Sequence, residues 1–446
     1  MFKKANKDIL EGNIVEQLLL FFFPVLLGYI FQQLYNTIDA VIVGTYVGKE
    51  ALAAVGGTTG TSINLIVNFI WGLTSGVSVI VAQYYGRRDY EGVSKAVKTG
   101  IFIGFALGLI MSIVGIVLTP NLLNLLNVPN DIYDLSISYM RIFLIGLVPL
   151  MIYNVGASIL RATGDSKRPL YFLILSAIIN TVLDYVFVRF FHWGVSGAAI
   201  ATIIAQFICC VLMLGLLART EDCYHFVIKD FGFDINLLKK TILIGLPSGI
   251  QSVVYSISNL FIQASVNAFG TNTVAAYTAF GKIDGFYWNY DSAFGIACMT
   301  VVGQNYGAKK IDRVKSTIKS SMLLELTGTV LISSVCYFFA QPLIKLFTSD
   351  IDVITIGAQM TKFLSLTWWL FVPIEIISSA SKACGSTLVP MIITAVGICG
   401  TRITYLLVYP YKNVIEALYC YPLSWFITSI VFVFYYFKGN WMKKNI

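Results

Sequence analysis

Charge is what this sequence has least of. Asp, Glu, Lys and Arg make up 12% of its 446 residues, where a soluble chain carries about a quarter. A water-facing surface cannot be covered with so few charges. Histidine is also scarce, at two residues, and the eight cysteines include no CxxC pair. No Cys/His spacing suits zinc, and cysteines inside apolar runs are read as small apolar residues, so neither a disulfide nor a structural metal is expected. The sequence has no GxxxxGK[ST] phosphate loop, no HExxH and no GxSxG. An ATP-driven pump acting alone and an intramembrane hydrolase therefore lose their signatures, and no enzyme is expected. The first residues, MFKKANKDILEGN, lack the apolar core and small-residue cleavage site of a signal peptide.

Apolar sequence is what is present. The hydrophobic set reaches 57% and the mean hydropathy is +0.77. A spanning helix needs about 20 apolar residues. Such stretches occupy roughly 15–43, 58–83, 97–118, 133–157, 170–190, 195–217, 241–267, 274–303, 318–340, 353–379, 389–409 and 415–437. The fold class read from them is an all-α polytopic membrane protein with twelve transmembrane helices. With the N-terminus inside, the connecting Lys and Arg fall overwhelmingly on the cytoplasmic side, and Lys49, Arg189, Lys345 and Lys412 are the exceptions. That asymmetry puts both termini in the cytoplasm and explains the net charge of +8 without nucleic acid.

The chain repeats itself. Shifted by 221 residues, QYYGRRDYEGVSKAVKT (83–99) meets QNYGAKKIDRVKSTIKS (304–320), and RATGDSKRP (161–169) meets KACGSTLVP (382–390). Near the start the shift is 222 to 223, pairing Pro24 with Pro247 and GKEALAAV with GTNTVAAY. Each copy has six spans, an even number, so both enter from the same side. Their pseudo-twofold axis is expected along the membrane normal. The expected organisation is an N-terminal lobe, 1–217, a cytoplasmic linker, 218–240, and a C-terminal lobe, 241–446, with a substrate path between the lobes.

Three passages give the sequence a family likeness: FPVLLGYIFQQLYNTIDAVIVGTYVGKEALAAVG near the start, NTVLDYVFV…GVSGAAIAT at 180–202, and VGQNYGAKKIDRV at 302–314. It resembles bacterial-type multidrug and toxic compound extrusion (MATE) transporters over essentially the whole chain. The resemblance implies two six-helix lobes and antiport of amphiphilic, often cationic, compounds against H⁺ or Na⁺. It implies no cofactor beyond that ion, a plasma-membrane location and no nucleic acid. A monomer is expected. A flippase for lipid-linked precursors is the alternative; it would want a basic cleft for pyrophosphate, which the N-terminal half does not offer.

An ionisable residue inside a span is a functional hypothesis by default. Asp39 lies in the first span, Asn180 and Asp184 on one face of the fifth, four residues apart, and Thr202 in the sixth. Asp39, Asp184 and Thr202 sit about five to eight residues from the outer ends of their spans, a common depth of roughly 10 Å. Two neighbouring carboxylates in a low dielectric cannot both ionise cheaply unless a proton or cation joins them. Carboxylate, amide and hydroxyl oxygens together suit H⁺ or Na⁺, and the family's cation-site motif falls on these four residues. The repeat places Tyr405 and Thr401 opposite Asp184 and Asn180, so coupling is expected in the N-terminal lobe alone. Some relatives have an acidic residue after the seventh-helix GLP turn, where this chain has Tyr255.

The substrate cleft is assigned to Tyr35, Asn154, Tyr255, Trp288, Asp291 and Glu375, with the two acids as anchors for cations and the aromatic faces suiting broad specificity. Arg402 is expected to pair with Glu375. Most other aromatics are read as interfacial belts. In a background without the native cysteines, single cysteines at position 3 and within 87–95 should react with an impermeant maleimide only from the cytoplasm. Labelling from outside would reject the topology.

Overall fold

The computed structural model describes residues 9–126 and 128–443. Lys3, Lys4, Lys7 and Lys444, used above for orientation, lie outside the described residues. Among those described, helices account for nearly everything and no strand occurs.

In chain order the first half comprises α1 (Ile14–Tyr46), α2 (Lys49–Gly56), α3 (Thr58–Gly86), α4 (Tyr90–Leu125), α5 (Asn130–Ile145), α6 (Leu147–Ala162), α7 (Lys167–Tyr185) and α8 (Gly194–Arg219). The second comprises α9 (Ile235–Asn267), α10 (Thr271–Gly307), α11 (Ile311–Phe338), α12 (Ala340–Lys345), α13 (Ile351–Ser365), α14 (Val372–Ala383), α15 (Leu388–Thr394), α16 (Thr401–Val408), α17 (Val414–Leu418) and α18 (Cys420–Lys438). Nine spans among the described residues are long and apolar enough to cross a membrane, eleven when each bent pair counts as one. The further helix, α10, is 37 residues long, but Lys282, Asp284 and Asp291 dilute its apolar character.

Two of the expected spans are bent. The fourth breaks by 47° between α5 and α6, and the tenth by 43° before α14. They are the same span of each copy, so the bend belongs to the repeated unit. The repeat is also written in the backbone. Left-handed conformations recur at Arg88 and Lys309, at Gly164 and Gly385, and at Gly48 and Gly270. The first two pairs are 221 residues apart and the third 222. Each follows a helix end or precedes the next helix, where such a residue closes the last turn. Side chains cap the starts: Asp89 accepts from the Gly92 amide at 2.9 Å, and Asp350 from Asp352 and Val353 at 2.9 and 3.1 Å.

By packing, the chain forms two compact units: Pro24–Gly249, and Ile250 onward together with the described residues before Pro24. The cuts fall inside α1 and α9, beside Pro24 and Pro247, rather than in 218–240. The cause in the first unit is close helix contact. Gly72 and Gly76 of α3 face Gly245 and Gly249 of α9. A Cβ on Gly72 would lie 2.5 Å from the Gly249 nitrogen, and one on Gly76 2.5 Å from the Thr241 oxygen. Small residues four apart let helix backbones touch where lipid offers no hydrophobic drive. The second unit holds the start of α1 by other means. Phe22 stacks on Phe294 of α10 with centroids 4.1 Å apart. Arg313 of α11 donates to the carbonyls of Gly12 at 3.2 Å and Ile9 at 3.1 Å. Lys310 donates to the Leu10 carbonyl at 2.9 Å.

The segment between α8 and α9 is ordered by local bonds. The Tyr224 hydroxyl donates to Asp222 at 2.8 Å, and burial together with that carboxylate pushes its phenol up to about 12. Phe102 of α4 stacks on Phe233 with centroids 4.4 Å apart.

Gly72→Val should overpack the α3–α9 contact at a cost of roughly 1–3 kcal/mol. The purified variant should melt several degrees below wild type in detergent; an unchanged melting temperature would refute the contact.

Candidate functional site

In the first unit the four polar residues singled out above come together. Tyr35 and Asp39 are one turn apart on α1, as are Asn180 and Asp184 on α7. α7 lies along α8, joined by a bond from the Ser176 hydroxyl to the Ala205 carbonyl at 3.2 Å and one from the Cys209 thiol to the Phe172 carbonyl at 3.1 Å. Asp184 is fully buried and Asn180, Thr202 and Asp39 are 2%, 6% and 8% exposed. The Asn180 amide donates to the Thr202 hydroxyl at 3.3 Å, and that hydroxyl donates to the Ala198 carbonyl at 3.1 Å. The Asp39 and Asp184 side chains lie within electrostatic reach of each other.

Four of the six side-chain oxygens of this group are unsatisfied. Oδ1 of Asp39, Oδ1 of Asn180 and both carboxylate oxygens of Asp184 are buried with no donor. Buried polar atoms are normally paired, and two adjacent carboxylates repel. A proton shared between them, or a monovalent cation among the oxygens, removes both penalties at once. Among the described residues no group of three or more His, Cys, Asp or Glu is arranged to hold a metal ion. What this site offers is two carboxylates, an amide and a hydroxyl, donors suited to a hard cation or a proton. Directly after Asp184 the helix loosens into a π-helical turn, Val186–Phe190, a distortion common where a helix serves a site.

Two tyrosines complete the surroundings. Tyr35, assigned above to the substrate cleft, is within electrostatic reach of Asp39 and Asp184. Tyr139 of α5 is 7% exposed and faces the same pair; the sequence reading missed it. Its one signal was a hydroxyl in mid-span, which many tyrosines of this chain share. Asn154 of α6 spends its amide on the Leu150 carbonyl at 2.8 Å.

The second unit carries a different set. Arg402 and Glu375 do not pair. Arg402 donates through Nε to Ser424 and through Nη1 to Asn259, both at 3.2 Å. Glu375 accepts from Ser379 at 3.0 Å, and its carboxylate rests directly against Gly295, leaving no room for a Cβ there. Lys382, one further turn along α14, is within its electrostatic reach. Asp291 is 2% exposed and lies within electrostatic reach of the fully buried Glu325 of α11. Asp291 Oδ1 and both Glu325 oxygens have no donor. The second half therefore has a buried acidic pair of its own, at positions the repeat does not relate to Asp39 and Asp184. Glu325 was the member given no role, although Ser321 and Thr329, one turn to either side of it on α11, are buried with it. Of the aromatic candidates, Trp288 and Tyr255 both approach Phe371, with centroids at 4.8 and 6.4 Å. The Trp288 indole donates to Asp284 at 2.7 Å.

Comparison with known proteins fits this arrangement. The MatE family model matches residues 24–186 and 247–407, one stretch in each copy of the repeat. The chain is 28% identical over 447 residues to the probable multidrug resistance protein YoeA of Bacillus subtilis (strain 168), covering 98% of this chain and 96% of that one. It is 27% identical over 461 residues to the probable multidrug resistance protein YpnP of the same organism, covering 98% of each. A multidrug resistance MATE family transporter of the MOP superfamily, solved in an outward-facing conformation, superposes with a TM-score of 0.91 at 23% identity over 99% of this chain and 100% of that one.

Because Asp39 and Asp184 form one unit, their substitutions should not add. In a thermal-unfolding cycle of Asp39→Asn, Asp184→Asn and the double variant, the coupling should exceed about 0.5 kcal/mol. Additive shifts would mean that the two carboxylates do not meet.

Proposed function

The chain belongs to the MatE family, and from that premise we propose that it is a secondary exporter, moving amphiphilic and cationic compounds out across the plasma membrane in exchange for H⁺ or Na⁺. The family is one of multidrug efflux transporters; the antiport chemistry is our reading. The observation that carries it is the buried group of donor-less oxygens on Asp39, Asn180 and Asp184, beside Thr202.

The physical argument is one of linkage. An ion can drive export only if it prefers one conformation and the substrate another. In this reading an ion entering from outside neutralises the Asp39–Asp184 repulsion, and its release into the cytoplasm restores it. Asn180 and Thr202 orient the pair and, for Na⁺, add an amide and a hydroxyl oxygen. Tyr35 and Tyr139 present phenol groups to the carboxylates. Substrate contacts are assigned to Tyr255, Trp288 and Glu375, aromatic faces with one carboxylate to attract a cation. No further cofactor is invoked, the working unit is a monomer in the bilayer, and both termini are cytoplasmic.

In proteoliposomes with separately imposed H⁺ and Na⁺ gradients, Asp39→Asn should lose gradient-driven export at least tenfold. It should still insert and still bind a cationic dye within a few-fold of wild type. Wild-type export by the variant under both gradients would sink the mechanism. Glu375→Gln should reduce export of cationic dyes more than of neutral compounds; an equal reduction would remove its role as a charge anchor.

A further inference from the structure

The start of the described chain is held by side chains. The backbone carbonyls of Ile9, Leu10, Glu11 and Gly12, consecutive in sequence, all accept from them. Arg313 donates to Ile9 at 3.1 Å and to Gly12 at 3.2 Å, Lys310 to Leu10 at 2.9 Å, and Gln17 to Glu11 at 2.5 Å. Arg313 also donates to the side chains of Asn305 at 3.1 Å and Gln17 at 3.4 Å. Gly12 is left-handed, with φ 87°, and turns the chain. Asn13 then caps α1, accepting from the Val15 amide at 2.9 Å. Among the described residues every acceptor that Arg313 and Lys310 reach is uncharged.

These cations stand where a helix start disfavours them. Lys310 occupies the position just before α11 and makes no side-chain cap there, and Arg313 lies in the first turn. A shift of 221 sets Lys310 on Asp89 and Arg313 on Gly92. In the first copy that acid caps that glycine at 2.9 Å, as the positive end of a helix prefers. The second copy forgoes this cap, and its two cations reach out to residues 9–12 instead. A local rule kept in one copy and broken in the other marks residues retained for something besides the helix. The approach to α9 is docked differently. Phe102 stacks on Phe233, and Gly72 lies against Gly249, apolar and backbone contacts that water cannot replace. The bonds to residues 9–12 lie beside exposed Glu11 and Gly12, where water can take over each of them.

We propose that residues 9–13 are a strap with Lys310 and Arg313 as its catch, closed in the conformation described and open in the other conformation of the transport cycle. The inference rests on the exporter reading for that cycle and on the bonded carbonyls for the catch. α1 packs with the second unit before Pro24 and with the first from Pro24 onward, so the strap fixes the start of the helix that carries Asp39. A closed catch stabilises one conformation and not the other, the kind of bias on which a two-state transporter depends. Because water can replace each bond, the bias is one that turnover can overcome.

The test follows Leu10, which is 8% exposed and meets the catch through its backbone, so Leu10→Cys keeps the bond to Lys310. The full chain without its native cysteines is placed in inside-out membrane vesicles, which present the cytoplasmic face to an impermeant maleimide. Uptake of ethidium into the vesicles reports export. At rest, Lys310→Met with Arg313→Gln should speed labelling of Leu10→Cys at least tenfold. With the catch intact, ethidium together with H⁺ or Na⁺ loaded inside should speed labelling at least threefold over rest. With both substitutions, labelling should be as fast at rest as in turnover. Equal labelling at rest with and without the catch overturns the catch. Ethidium uptake with labelling unchanged from rest means a fixed anchor and overturns the strap, while the exporter reading stands. No uptake under either gradient overturns the exporter reading and, with it, the strap's part in transport. Should the double variant fail to insert, Lys310→Met alone should speed resting labelling about threefold; no change overturns the catch.

Discussion

A carboxylate buried among helices with nothing to donate to it raises the energy of the fold, and Asp39 and Asp184 place two together. Hydrocarbon removes the usual remedy, since water cannot solvate the charge and loosely packed backbone is itself excluded from lipid. Much of the first unit is arranged around that constraint. α7 and α8 are bound along their length so that Asn180 and Thr202 stand beside the pair. The π-helical turn follows Asp184 at once. The aromatic side chains within electrostatic reach of the pair are Tyr35 and Tyr139. An architecture that keeps donors away from four oxygens is poised for something small and positive.

The spans, the repeat and the grouping of Asp39, Asn180, Asp184 and Thr202 were legible in the sequence because each rests on a local regularity. An apolar run has a length, a duplication has an offset, and residues four apart share a helix face. The left-handed positions at Arg88 and Lys309, a full repeat apart, show the offset reaching down to single dihedral angles. What was not legible depends on which faces meet. Gly72, Gly76, Gly245 and Gly249 are four glycines among 36, and nothing local says that they touch. That contact ties the start of α9 to α3 and moves the packing boundary from 218–240 into the helices. Glu325 had no role to be read from the sequence and Tyr139 no signal of its own for the same reason, each gaining meaning only from a partner on another helix. The expected Glu375–Arg402 pair failed because opposite charge is a weak predictor of contact when neutral hydrogen-bond partners and aromatic rings are nearer.

The two halves share a backbone plan and differ in their charges. Both copies bend the fourth of their six spans and loosen the fifth into a π-helical turn. Beside that turn one copy has Asp184 and the other Arg402. The two turns do not occupy matching places: a shift of 221 carries Val186–Phe190 to 407–411, whereas the second turn is Ala395–Gly400, and the same shift carries Asp184 to Tyr405 rather than to Arg402. The acidic pair in one half asks for a cation, while the guanidinium in the other is held by Ser424 and Asn259 within electrostatic reach of Asp284. Coupling requires only that ion and substrate differ in their preference between conformations. The same order of helices thus carries a buried acidic pair in one half and a buried guanidinium in the other, each placed by its own neighbours rather than by the repeat.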